Sequence, residues 1–232
     1  MLKRILEPEV MESSEDADEY NDMDHSKVNQ AFVAELLAFA ESQIEPDEVL
    51  ELGDVLDLGT GTALIPVELC KQHYACRVMA VDLAASMLDL AVYNLEVHSM
   101  TERITLAQVD AKTMGFDNGN FDLVMSNSII HHIPEPMDCL KQMVRVTCEG
   151  GLLFIRDLMR PADLETLQSL VQTYAGEESE YCRRLFGDSL HAALTLEEIR
   201  ALVVELGFEA ETVQATTDRH WTWMAIRPES DE

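Results

Sequence analysis

Apolar positions along this chain follow two periods, and the alternation between them lays out the elements. Short buried runs read as strands: 55–58 around Asp57, Arg77–Asp82, 104–109, 121–128, and 152–158 entered through a Gly150-Gly151 turn. Two closing strands, 208–216 and His220–Ile226, are joined through Asp218-Arg219. Between them the apolar residues recur at helical spacing. Val28, Phe32, Leu36 and Phe39 mark a helix from a Ser26 cap to about Gln43, and Met87, Leu90, Ala91 and Leu95 mark one over 84–98. A helix opened by Pro134 and Pro136 turns Met137, Leu140, Met143 and Val144 inward, and another over 161–174 does so with Leu164, Leu167, Val171 and Tyr174. Thr195 and Glu198 form a capping box for the last helix, which stops at Gly207. This order predicts an α/β fold: a doubly wound, mostly parallel seven-stranded sheet with an antiparallel last strand. Residues 25–232 read as one domain with an N-terminal cover helix and a lid at about 176–195. The acidic stretch 1–24 reads as loosely ordered.

One junction carries chemistry. In VLDLGTGTALIP (55–66) a strand runs through a Gly59-Thr60-Gly61-Thr62 turn straight into a helix, which Pro66 requires to start near 62–64. Glycine permits backbone angles closed to other residues and leaves no side chain between turn and ligand, while the helix start offers free N–H groups. The next strand ends in Asp82, about 20 residues on, the spacing at which an acid accepts both hydroxyls of a ribose. The pair reads as a nucleoside site. A dinucleotide fingerprint places a third glycine where this chain has Leu64, which disfavours a diphosphate and hence a nicotinamide dehydrogenase.

DLGTGTA followed by AVDLAASML resembles motif I and its successor in class I S-adenosylmethionine-dependent methyltransferases, and the small-molecule, ubiquinone-biosynthesis type in particular. One departure is Ala63, where the family commonly has glycine. The resemblance implies a Rossmann-like methyltransferase fold and S-adenosylmethionine as cofactor, with S-adenosylhomocysteine as product. It implies contacts from Asp57, Gly59, Thr60 and Gly61, ribose hydroxyls on Asp82, adenine packed on Leu83, and the adenine amino group at Asp110-Ala111. Local spacing alone makes Asp110 a turn cap. Ser126 ends the fourth strand on the cofactor side, and the following IIHHIPEP segment is similar to the His-rich, Pro-terminated segment of that type.

Within that segment His132 is the expected general base, because it adjoins the Ile133-Pro134 turn and an imidazole with a pKa of about 6.5 suits proton removal. His131, Asp157 at the end of the fifth strand, and Tyr20 and His25 at the entry of the first helix are expected on the substrate side. The plainer reading of Tyr20, Asp24, His25 and Asn29 is a capping network. Sixteen basic against 44 acidic residues give a net charge of −28, which repels nucleic-acid backbones and anionic membranes and leaves a small molecule as partner. Five cysteines without CxxC spacing read as free thiols, and no metal set is read. With no secretory start and no spanning apolar run, a cytoplasmic enzyme is expected. A protein or tRNA methyltransferase and a silent nucleoside-binding module are the rivals.

Overall fold

The computed structural model describes residues 2–7, 26–73 and 75–229. Helix α1 spans Ser26–Glu41, and strand β1, Asp54–Leu58, leads through the glycine turn into α2, Leu64–Gln72. Then come β2 (Arg77–Asp82), α3 (Ala85–His98), β3 (Ile104–Gln108) and β4 (Phe121–Asn127). A 3-10 turn at Ile130–His132 precedes α4 (Pro136–Val146) and β5 (Thr147–Leu158). Helices α5 (Leu164–Ala175), α6 (Glu180–Ala192) and α7 (Leu196–Glu205) lead to β6 (Val213–Ala215) and β7 (His220–Ile226). The sheet has seven strands in the order β3-β2-β1-β4-β5-β7-β6. β1 is parallel to both β2 and β4, and β6 pairs antiparallel with β7, as the sequence pattern predicts.

The described residues group into two compact units. One comprises 26–73, 75–127, Lys141–Phe154 and 224–229. Its core joins Phe32, Val33, Leu36 and Ala40 of α1 to Val55, Val67, Leu69, Leu123 and Phe154, with Phe32 and Phe154 edge to face at 5.1 Å. Val28, expected on the inward face of α1, lies outside it and is 43% exposed, because the buried stripe is set by Phe32, Val33 and Leu36. β5 also starts earlier than predicted, at Thr147, since Gly150 and Gly151 lie within the strand and pair with Arg227. Glycine is required at Gly151, where an added Cβ would sit 2.9 Å from the Asp122 and Cys148 carbonyl oxygens.

The other unit comprises 2–7, Ser128–Leu140 and Ile155–Trp223. Leu158, Leu167, Leu170, Leu190 and Ala193 form its apolar cluster, and Leu2 packs against them. Leu164 and Tyr174, expected inward, are exposed; α5 starts at Leu164 behind an Asp163 cap, which turns Leu167 inward as expected and adds Leu170 to it. The predicted Thr195–Glu198 capping box is present. The stretch read as a lid is mostly the regular helix α6, capped by Ser179; with α5 it walls a groove of about 440 Å³. Residues 2–7 are seated rather than loose. Arg4 donates to the carbonyls of Ala192, Pro134 and Ile133 at 2.6–3.0 Å and more weakly to that of His131, and the Ile5 N–H donates to His191. Residues 8–25, with Tyr20 and His25 among them, lie outside the described residues.

Candidate functional site

In the first unit, the loop after β1 is fixed by the strand beside it. The N–H groups of Gly59 and Thr60 both donate to the Val81 carbonyl, at 2.8 and 2.9 Å. Gly59, Gly61 and Ala63 all adopt positive φ. Ala63 does so while fully buried, at a cost of about 1–2 kcal/mol for a non-glycine residue, which is the physical meaning of its departure from the glycine pattern. At Gly61 a Cβ would meet nothing within 4 Å: the loop opens onto free space there.

The Asp82 carboxylate closes the loop from the other side. One oxygen accepts from the Gly61 N–H at 2.8 Å and the other from the Ala84 N–H at 2.9 Å. Each keeps a lone pair for a further donor. Burial pushes the Asp82 pKa up, and these backbone N–H groups restrain the rise. Asp57 lies deeper. It is buried, its Oδ2 makes no hydrogen bond, and the buried Thr60 hydroxyl is likewise unpartnered. Burial, with the negative Asp82 nearby, raises the Asp57 pKa to about 7; the Thr60 hydroxyl is close enough to offset part of that without forming a well-aligned bond. A buried carboxylate oxygen without a donor is costly to keep, by about 1–3 kcal/mol or more.

The remaining expected residues divide. Leu83 and Ala111 are half-buried at the ends of β2 and β3. Asp110 accepts from the Lys112 N–H at 2.8 Å and pairs with its ammonium at 3.1 Å; burial works against the charge, but these two contacts outweigh it and hold the pKa low. The turn cap is thus present. Ser126, expected on the cofactor side, is fully buried, and its hydroxyl donates to the Leu58 carbonyl at 2.7 Å, so it ties β4 to the end of β1. Sequence reasoning missed Asn94. Buried on α3, its amide donates to the Thr62 carbonyl at 2.9 Å and fixes the far end of the glycine loop. An asparagine inside the apolar stripe of a helix was the available signal.

In the second unit a different cluster forms. His131 and Asp157, expected on the substrate side, are both buried, at 3% and 1% exposure, and bonded to each other, His131 Nδ1 to Asp157 Oδ1 at 2.5 Å. Asp157 also accepts from the N–H groups of Ile130, His131 and Leu158, and so shapes the turn after β4. Burial alone would lower the His131 pKa, but Asp157 and, more weakly, Glu7 hold it above its ordinary value. Asp157 is held low by the same imidazole against the effect of burial. His132 is partly exposed, with Nδ1 3.2 Å from Glu7 Oε1. Glu7 was not singled out by sequence, because one acid in an acidic stretch carries no signal. Its own pKa is raised by burial.

Residues 56–155 match the model of the family Methyltransf_11, described as a methyltransferase domain. The chain is similar to the 27-O-demethylrifamycin SV methyltransferase of Amycolatopsis mediterranei, 26% identical over 183 residues, covering 77% of this chain and 63% of the relative. It is also similar to the demethylmenaquinone methyltransferase of Porphyromonas gingivalis, 27% identical over 165 residues, covering 66% of this chain and 67% of the relative. The chain therefore spans only about two thirds of the length of these relatives. Among solved structures, a SAM dependent methyltransferase from Aquifex aeolicus superimposes with a TM-score of 0.65 at 14% identity, over 92% of this chain and 98% of that one, a likeness of fold.

Proposed function

From residues 56–155 as a methyltransferase domain, we propose that the chain transfers a methyl group from S-adenosylmethionine to a small-molecule acceptor. The observation that carries this reading is the loop between β1 and α2. A buried, donorless Asp57 oxygen lies beneath a glycine loop open at Gly61 and closed by Asp82. These residues fit the cofactor. Asp57, once ionised, accepts from an ammonium group; Gly61 leaves room for a chain to pass; Asp82 keeps lone pairs for two ribose hydroxyls. Leu83 offers an apolar flank to a base, and Asp110-Ala111 its polar edge. The bound cofactor supplies an electrophilic methyl on a sulfonium. The chain's own residues align it, and Asn94 and Ser126 keep the loop in place.

A small acceptor is supported by the net charge of −28 and by the acceptors named for the two relatives, a demethylrifamycin and a demethylmenaquinone. All five cysteines are free, which supports a reducing, cytoplasmic site of action; no helix among the described residues is long and apolar enough to cross a membrane. Calorimetry on the full chain tests the reading. One S-adenosylmethionine or S-adenosylhomocysteine binds per chain and NAD does not; the opposite preference overturns it. Labelled cofactor with fractionated cell extract then identifies the acceptor.

A further inference from the structure

We propose that Glu7, His131 and His132 form a binding site for one divalent zinc ion. Glu7 Oε1 lies 3.3 Å from His131 Nε2 and 3.2 Å from His132 Nδ1. The three ligand atoms all fall within 4.8 Å of one another. The edge of a tetrahedron is about 1.6 times its centre-to-vertex distance, so zinc bonds of about 2.0–2.1 Å require ligand atoms about 3.3 Å apart. Both contacts at Glu7 match that edge.

Hydrogen bonding does not account for the arrangement. Glu7 Oε1 is buried and makes no hydrogen bond, although two imidazole nitrogens lie at hydrogen-bond distance. The oxygen is therefore off the axis of either ring N–H, as it is when nitrogen lone pairs and carboxylate converge on a common centre. The Glu7 side chain is 9% exposed, so water does not solvate its charge freely.

The surroundings are those of a ligand shell. His131 turns Nδ1 to the Asp157 carboxylate at 2.5 Å, which fixes the ring and leaves Nε2 to face Glu7; a carboxylate behind a histidine ligand orients it and raises its basicity. The other Glu7 oxygen accepts from the Ser189 hydroxyl at 3.1 Å. The two imidazole rings lie 4.2 Å apart, close enough for neighbouring residues to serve one ion. Arg4 is the adjacent positive charge, and its guanidinium is engaged by backbone carbonyls. Three protein ligands leave a fourth zinc position to water or to an oxygen, nitrogen or sulfur ligand. The ion pins the segment carrying Glu7 to the turn after β4. It also makes His132 a ligand rather than the general base expected from sequence.

The test needs neither methyl acceptor nor cofactor, so it stands apart from the proposed activity. The full chain, stripped with a chelator and dialysed, is titrated with zinc chloride alone, with cobalt(II) as a spectroscopic probe. One zinc per chain binds with a dissociation constant below about 1 μM, and cobalt gives the intense visible bands of a tetrahedral site. Glu7→Gln and His132→Asn each weaken zinc binding by about 100-fold or more, while the circular dichroism and melting of the metal-free protein stay unchanged. Absence of micromolar binding overturns the site. So does binding that neither variant alters, which would place the ion elsewhere on the acidic surface.

Discussion

The glycine loop around Asp57 and the histidine cluster around His131 both contain buried carboxylates, but the two are kept in opposite ways. Asp157 is saturated from within: an imidazole and three backbone N–H groups satisfy it, and its charge is held by its neighbours. Asp57 is left short of a donor, and burial pushes it toward neutrality. A carboxylate satisfied by the fold supports structure; one the fold leaves wanting is waiting for something else. The contrast separates the two residues more sharply than their nearly equal burial does.

The largest effect expected from this contrast is on stability at Asp157. Asp157→Ala removes the acceptor of three backbone donors and leaves His131 buried without its partner, and should cost about 3–5 kcal/mol, read as a drop in denaturant midpoint at neutral pH. A loss below about 1 kcal/mol would erase the distinction.

At Asp57 the effect moves from stability to binding. Asp57→Asn should weaken S-adenosylmethionine by about 100-fold, the loss of one charge-assisted contact in a buried site. The sign of the pH dependence follows from the raised pKa. In the cofactor-free protein the carboxyl is protonated below about 7, so affinity rises with pH up to about 7 and levels above it. The stability this group contributes is fully present below its unfolded value of 3.8 and is lost as pH rises through about 7. Relative to wild type, the cofactor-free Asn variant should therefore melt higher at pH 8 than at pH 5, and its cofactor affinity should be flat across that range. Calorimetry and differential scanning at the two pH values check both.

Asp82→Ala should weaken the cofactor by about 1–3 kcal/mol, since it removes the acceptor proposed for the ribose hydroxyls and also frees the Gly61 N–H. Ser126→Ala is the smallest: about 1 kcal/mol of stability from one buried hydrogen bond, with cofactor affinity within a factor of a few. A larger loss of affinity than of stability at Ser126 would place it among the cofactor contacts.

The two regions were also unequally legible in the sequence. The loop was readable because its determinants are neighbours: strand, glycines and helix start follow one another, and Asp82 comes one strand later at a spacing the fold dictates. The Thr195–Glu198 cap and the strand His220–Ile226 were local in the same sense. The histidine cluster was not. His131 and His132 stood out as residue types, but which one is buried depends on Asp157, and Glu7 comes from a segment whose composition suggests solvent. The bond that Ser126 makes was hidden for a related reason: a strand-end position is local, whereas its partner, the Leu58 carbonyl, comes from the neighbouring strand.

Arg4 has a consequence for the order of events during synthesis. Its guanidinium holds carbonyls of the turn after β4 and of Ala192 at the end of α6, and the Ile5 N–H holds His191 beside it. A chain emerging from the ribosome makes Arg4 long before it makes Ala192. At about 5–20 residues per second, the segment waits roughly 10–40 seconds for its last acceptors. Docking of residues 2–7 is thus a late, long-range closure, paid in loop entropy after the elements it joins have formed.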